Sequence, residues 1–271
     1  MEQPLPQDVA KSFDRSAEVY DDHVAPNRAG AGRLVASIPD GRYPRLLDVA
    51  CGTGFAALAA IPRLGVESVI GVDASAPMLE QFRERLGEFP DVEADLRACD
   101  VLAIDVPPAS VDLVLCSMAL HWFADRGAAI ALMARALVPG GVLGILAPGP
   151  EHDTETVGRI RRTGDPLMGR LADAIEDNQV DPDVLTGHLV AAGLEPLDVF
   201  TETRRRAIPA SAYSGRLDAV ASHLWADLPP ARQDETLARM HAFIEDAAGD
   251  DGLYRYRFVK TYAIARKPGG G

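Results

Sequence analysis

Cysteine is scarce, and what there is excludes more than it suggests. The 271 residues hold three, Cys51, Cys99 and Cys116. An odd count with no C-x-x-C spacing argues against both a disulfide framework and a zinc site. All three fall at the ends of expected strands and read as small buried apolar residues. The histidines, among them His23, His152, His188 and His241, show no metal-ligand spacing. No apolar run approaches the ~20 residues that a membrane span needs. Met1 to Val9 is acidic and proline-containing, not basic and then apolar as in a secretory signal, so a cytoplasmic protein with no membrane partner is expected. Lysine is nearly missing too: Lys11, Lys260 and Lys267 are the only ones. With 27 basic against 40 acidic residues the net charge is -13, which disfavours nucleic acid as a partner. Oligomeric state is not indicated.

What is present begins with Leu46-Leu47-Asp48-Val49-Ala50-Cys51-Gly52-Thr53-Gly54. The aliphatic run suits a strand buried on both faces. Gly52 and Gly54 allow a sharp turn with no Cβ in the way of a ligand, and a helical segment starting at Phe55 follows. A strand–glycine turn–helix unit places a nucleotide-like ligand at the carboxyl end of a parallel strand. Gly52, Gly54 and Ala57 also fit the permissive G-x-G-x-x-G/A fingerprint of dinucleotide binding, so a nicotinamide cofactor stays open on the glycines alone. Asp48 argues otherwise: at that position a carboxylate would receive a cationic amino group and repel a pyrophosphate.

Three further stretches repeat the pattern of a strand ending in a small or acidic residue. Ser68 to Asp73 is the next strand, and Asp73 is spaced to accept hydrogen bonds from ribose hydroxyls. Ala74-Ser75-Ala76-Pro77-Met78-Leu79 then starts a helix, with Ser75 as cap and Pro77 in the first turn. A weak strand around 92–97 leads into Ala98-Cys99-Asp100-Val101, whose carboxylate can accept from an amino group or cap the following turn. Val111 to Ser117 is an apolar run ending in a small polar residue, followed by His121, Trp122 and Phe123. Ala134 to Leu143 reads as a helix end, a Pro-Gly-Gly turn and a fifth strand.

Together these segments resemble the class I S-adenosylmethionine-dependent methyltransferases. The D-x-A-C-G-T-G run is similar to their first motif, Asp73 through Leu79 to their D-x-S-x-x-M-L pattern, and Ser12 to Asp21 to the F-D-x-x-A-x-x-Y-D segment of many small-molecule members. The specific likeness covers about residues 12–148. It implies a doubly wound, seven-stranded, mostly parallel α/β sheet (a Rossmann-like methyltransferase fold) with N- and C-terminal helical cover. It also implies S-adenosyl-L-methionine as cofactor, with S-adenosyl-L-homocysteine as product. By the same resemblance Asp48, Ala50, Gly52, Gly54, Asp73, Ala74, Met78, Cys99, Asp100, Val101 and Ser117 border the cofactor. Met78 would pack on adenine, and the Cys99 and Val101 backbone would flank the base. Tyr20 would reach over the cofactor as a lid residue and is also a catalytic candidate. His121 and Trp122 would sit where the methyl group meets its acceptor. The bland alternatives are core packing for Met78, Tyr20 and Trp122, and a loop-shaping, backbone-bonded role for His121.

A hydroxyl acceptor would need a base, and His121 is the best-placed histidine for that role. His223 and Trp225, on an expected covering helix, are further candidates for substrate contact. The clusters Arg159-Ile160-Arg161-Arg162 and Arg204-Arg205-Arg206 would receive an anionic substrate or form solvated surface. No Asp/Asp/Asn constellation suggests the magnesium-dependent catechol-type enzymes. The chain reads as one domain: an N-terminal helical lid over 1–44, a cofactor-binding core over 45–148, a helical insertion over 149–193, and the last two strands with inserted helices over 194–271. Within the insertion 154–178 reads as helical throughout. The expected function is methyl transfer to a small-molecule metabolite, to hydroxyl or carboxyl oxygen, by in-line displacement. Nitrogen or carbon acceptors, and a cofactor-holding scaffold for a non-methylating reaction, are the alternatives.

Overall fold

A computed structural model describes residues 6–100 and 103–269. Its centre is a seven-stranded sheet in the order β3-β2-β1-β4-β5-β7-β6. The strands are β1 (Arg45–Val49), β2 (Ser68–Asp73), β3 (Glu93–Ala98), β4 (Val111–Ser117), β5 (Leu137–Pro148), β6 (Glu195–Pro209) and β7 (Leu253–Arg266). The first five pair in parallel, and β7 pairs antiparallel with both β5 and β6. β1 and β4 are the neighbours at which the strand order reverses, the place where open parallel sheets bind ligands.

Helices α1 (Pro6–His23), α2 (Ala25–Ser37), α3 (Phe55–Leu64), α4 (Ala76–Leu86), α5 (Arg126–Ala136), α6 (Thr154–Thr163), α7 (Pro166–Asp177), α8 (Pro182–Ala191), α9 (Ala210–Ala221) and α10 (Pro230–Asp246) complete the fold. Apolar residues of β1, β4 and β5 alternate between two cores. One contains Leu47, Val114 and Ile145 and packs on α5 and α8; the other contains Leu46, Leu113 and Leu146 and packs on α2 and α3. Each fully buried aliphatic side chain contributes about 1.5–3 kcal/mol, so the central strands anchor the fold on both faces.

The helix boundaries follow local chemistry. Ser75 Oγ accepts from Met78 N at 3.4 Å at the start of α4, and Asp125 accepts from Ala128 N at 2.8 Å at the start of α5. The expected continuous helix over 154–178 is two helices. Gly164 takes a left-handed φ of 65°, and Asp165 then caps a new helix whose first residue is Pro166. The expected Pro-Gly-Gly turn lies inside β5. Val138 to Gly141 bulges between the pairs Val111↔Leu137 and Leu113↔Val142, and Gly140 N donates instead to Lys267 O at 2.8 Å.

β6 and β7 run on beyond β5. Of β7, β5 pairs only with Lys260–Arg266, while β6 stays paired with β7 down to Leu253. The projecting ribbon carries Tyr254, Tyr256 and Phe258, which form a third core with Ile160 of α6, Leu171 of α7, Tyr213 and Leu217 of α9, and Met240 and Ile244 of α10. This second body hangs over the carboxyl ends of the strands. It is tied to α1 by Ser12 Oγ and Ser222 Oγ at 2.6 Å, and by Ser16 Oγ donating to Ala219 O at 3.0 Å.

Candidate active site

Two adjoining cavities lie at the strand ends. The larger, about 540 Å³, is lined by loops after four strands: Ala50 to Thr53 after β1, Asp73 and Ala74 at β2, Cys99 and Asp100 after β3, and Ser117 to Ala119 at β4. Met78 of α4 and Phe13, Tyr20 and Asn27 of α1 and α2 close it. Its size falls in the range of small-molecule and cofactor sites, about 300–1,000 Å³.

Asp73 organises the floor. Its Oδ2 accepts from Gly52 N at 2.7 Å, and its Oδ1 accepts from Ser75 N at 2.9 Å, joining the β1 and β2 loops. Burial pushes its carboxyl above the ordinary value, and the bonds from Ser75 and Gly52 partly restrain that rise. Two non-glycine residues of the wall hold positive φ, Ala50 at 51° and Met118 at 57°. Each costs on the order of 1–3 kcal/mol, strain of the kind that gathers at ligand sites.

The two glycines serve different ends. A Cβ at Gly52 (φ 54°) would meet nothing within 4 Å, so the loop is open toward the cavity there. A Cβ at Gly54 (φ 85°) would run into the ring of Phe82 on α4. Gly54 lines neither cavity. It is glycine for packing and conformation, and ligand clearance, the expectation, applies to Gly52 alone.

Asp48 also lines neither cavity. It is 1% exposed, its Oδ2 accepts from Ala57 N at 3.1 Å, and Oδ1 has no partner. Burial, then the charge of Asp73, pushes its carboxyl up to about 7. The structure therefore places Asp48 beneath the glycine turn, on the amino end of α3. Val101 lies outside the described residues.

The α1 cover is fastened to the glycine loop. Asp21 accepts from Thr53 Oγ1 at 2.8 Å and from Arg85 of α4, and Arg85 donates to Thr53 O at 2.9 Å. Arg28 and Arg85 both lie over the Phe55 ring. Asp21 was a residue of the F-D-x-x-A-x-x-Y-D segment, but its partner Arg85 carried no signal in the sequence.

The smaller cavity, about 100 Å³, shares Phe13, Tyr20, Asn27, Met118 and Trp122 with the larger one. His121, His152, Asp153, Arg216, His223 and Asn178 add polar groups, and Leu171, Ile175, Leu217, Val220 and Leu224 an aliphatic wall. The His121 ring lies 4.6 Å from that of Trp122, and His223 meets Trp122 edge-on at 5.1 Å. His121 Nδ1 is buried with no partner, and burial, then Arg126, lowers its pKa to about 3. Burial, then Arg216, lowers His152 to about 3, and its Nδ1 sits 2.9 Å from Val259 O. Asp153, at a positive φ of 54°, accepts from Thr156 Oγ1 at 2.5 Å and from the Tyr213 hydroxyl. Burial pushes the Tyr20 phenol upward, so it stays a neutral donor.

Of the expected site residues, the larger cavity gathers Tyr20, Ala50, Gly52, Asp73, Ala74, Met78, Cys99, Asp100, Ser117 and Trp122, and the smaller gathers His121 and His223. Trp225 reaches neither. It is 1% exposed in the third core and its indole N–H donates to Leu167 O at 3.1 Å, so it is a structural residue. The arginine clusters also lie elsewhere. Arg161 is taken by Asp173 and Glu176, both at 2.6 Å, Arg159 donates to Arg255 O at 3.1 Å, and Arg204 to Arg206 stand on the outer strand β6. The cavity's arginine is Arg216, which nothing in the sequence singled out. Among the described residues no cluster suits a metal ion, and no helix is long and apolar enough to cross a membrane.

Fold and site define an α/β protein of the doubly wound kind, with a cofactor-sized cavity at the strand ends and a covered second cavity beside it. Residues 46–141 match the family described as a methyltransferase domain, and over that stretch the chain is similar to S-adenosylmethionine-dependent methyltransferases. It is similar to a trans-aconitate 2-methyltransferase of Azoarcus sp. (strain BH72), 34% identical over 55% of this chain and 57% of that one. It is also similar to a 27-O-demethylrifamycin SV methyltransferase of Amycolatopsis mediterranei (strain S699), 28% identical over 91% of this chain and 95% of that one. Against the first curated relatives the chain spans between about half and two thirds of their length, 57%, 63% and 52%. In fold it resembles the [4+2]-cyclase SpnF, with a TM-score of 0.61 at 21% identity, over 99% of this chain and 98% of that one.

Proposed function

We propose that the protein transfers the methyl group of S-adenosylmethionine to an oxygen atom of a small metabolite. The observation that carries this reading is the junction of the two cavities: a cofactor-sized space floored by Asp73 opens, past Tyr20, Met118 and Trp122, into a second space with polar groups of its own. When bound, the sulfonium supplies an electrophilic methyl whose C–S bond breaks as the acceptor oxygen forms its C–O bond.

The residues would act as follows. Asp73 accepts the ribose hydroxyls on lone pairs not used by Gly52 N and Ser75 N. Met78 and the Cys99 backbone border the base, and Asp100 accepts from its amino group. Ala50, Gly52 and Ser117 give the remainder of the molecule a close backbone wall. Tyr20, Phe13 and Trp122 exclude water at the junction, which strengthens every electrostatic interaction there. Holding the acceptor in line with the breaking bond supplies most of the acceleration.

His121, held neutral with a pKa of about 3, is a poor base at neutral pH. It therefore serves as a hydrogen-bonding and orienting group. An acceptor oxygen that is already ionised needs no base, and this favours carboxyl over hydroxyl oxygen. The curated relatives are named for transfer to trans-aconitate, to malonyl-[acyl-carrier protein] and to a rifamycin oxygen.

The test is incubation with labelled cofactor and an acceptor panel, followed by mass analysis. A product gaining one methyl at oxygen supports the proposal. Cofactor binding with no methylated product would favour a scaffold role, the reading that the likeness in fold to a cyclase keeps in view.

A further inference from the structure

We propose that Arg216 is the receptor for a carboxylate on the acceptor, and that this enzyme's substrates are small organic acids with an apolar body. This deepens the preceding reading and rests on it.

The lining of the smaller cavity holds one arginine, Arg216, and one carboxylate, Asp153. Asp153 is already engaged: Thr156 Oγ1 and the Tyr213 hydroxyl both donate to it. Arg216 is held differently. Its guanidinium lies over two aromatic rings, 5.7 Å from the centroid of Tyr256 and 4.9 Å from that of Phe258. Among the described residues no carboxylate stands within ion-pairing distance of it, and no acceptor bonds it. The other arginines singled out by clustering are paired or on the outer surface, whereas this one is fixed by stacking with its donors left unused. A planar guanidinium held that way matches the two oxygens of a carboxylate.

Its surroundings reinforce the assignment. Lys260 Nζ sits over the same Phe258 ring at 5.0 Å and bonds the Pro26 carbonyl; burial, then Arg216, lowers its pKa to about 7, so it adds part of a positive charge near neutral pH. His121 Nδ1 is a buried polar atom in the same cavity without a partner inside the protein. It can bond an acid or its oxygen neighbour. Leu217, Val220, Leu171 and Ile175 line the same cavity and would seat an apolar body. A guanidinium with no ion-pair partner, beside an aliphatic wall, favours an acid over an amine, whose ammonium Arg216 would repel. The acid would reach the cofactor cavity between Tyr20 and Trp122, which line both spaces.

The experiment is calorimetric titration of the full chain, with and without saturating S-adenosylhomocysteine. The probes are phenylacetate and hexanoate, against phenylacetamide and hexanamide. The expected result is saturable binding of at least one acid, with its amide at least tenfold weaker. Arg216→Gln should weaken the acid at least tenfold and leave S-adenosylhomocysteine affinity within twofold. Arg216→Lys should recover part of the loss, and the exposed Arg162→Gln should change nothing. Should Arg216→Gln fail to fold, the acid–amide difference in the unaltered protein still decides. Absence of acid binding, equal binding of amides, or acid binding undiminished in Arg216→Gln overturns the assignment. Failure of S-adenosylhomocysteine itself to bind would instead overturn the methyltransferase reading on which it rests.

Discussion

The two cavities are built by opposite means. The larger one is made from strand ends: backbone amides and the loops after four parallel strands, joined by the central carboxylate of Asp73. The smaller is made from side chains that α1, α7, α9, the β5–α6 loop and the 3-10 turns at Leu120–Trp122 and Ser222–Trp225 bring together. A fold can hold the first kind nearly constant while the second varies with the covering helices. On this reading the cofactor side sets the chemistry and the covering side sets what is methylated.

The sharpest break is at Gly54. Gly54→Ala puts a methyl group into the Phe82 ring at a left-handed φ of 85°. Overpacking and backbone strain together should cost about 2–4 kcal/mol. Denaturant unfolding should show that loss, with cofactor binding lost alongside; Gly52→Ala, also at a left-handed φ but with space around it, should cost only the backbone strain, about 1–2 kcal/mol. Equal losses at the two glycines would show that the distinction between them is wrong.

Next in size is Asp73. Asp73→Ala should weaken S-adenosylhomocysteine by about 2–3 kcal/mol, two hydrogen bonds from a carboxylate, and more if the loops it joins loosen. His121→Gln should leave that affinity unchanged and lower turnover, because His121 lines only the acceptor-side cavity. A collapse of cofactor affinity in His121→Gln would merge the two sites into one.

The two regions should also respond to acid with opposite sign. His121 and His152 have folded values of about 3 against an ordinary 6.5, so between those limits the unfolded chain holds the extra protons. Their contribution is lost as pH falls from 6.5 toward 3. Asp48 stands at about 7 against an ordinary 3.8, so there the folded chain holds the proton, and stability declines as pH rises through that window. Hydrogen exchange at pH 4.5 should therefore show the covering helices opening before the β1 loop. The reverse order would contradict these assignments.

The smallest expected effect is at the latch. Asp21→Asn removes the charge that Arg85 and Thr53 share, and should raise the cofactor dissociation rate severalfold, about 1 kcal/mol for a half-buried pair. Stopped-flow displacement would measure it.

The sequence made the cofactor side legible because its signals are local. A strand, its terminal carboxylate and the next helix cap lie within a dozen residues, so Asp73, Ser75 and Met78 could be placed by spacing. The exceptions were Asp48 and Gly54, whose residue types fitted a ligand but whose surroundings are Ala57 N and Phe82. Those neighbours are set by tertiary packing. The smaller cavity was legible only at Tyr20, His121, Trp122 and His223. Arg216 lies on a helix with no clustering to mark it, and it comes to line one cavity with Asp153 and Tyr20 through folding across long stretches of chain. The arginine clusters drew attention by adjacency, and adjacency on a helix or an outer strand is mostly surface. Trp225 shows the same limit: an aromatic beside a site histidine was core, its N–H already bonded.

The most direct test of the central claim, that the carboxylate at the end of β2 and the turn after β1 hold S-adenosylmethionine, is calorimetric titration of the protein and its Asp73→Asn variant. S-adenosylhomocysteine should bind the unaltered protein and bind the variant at least tenfold more weakly, and NAD should bind neither. Binding of NAD in preference, or S-adenosylhomocysteine binding indifferent to Asp73, would contradict the account.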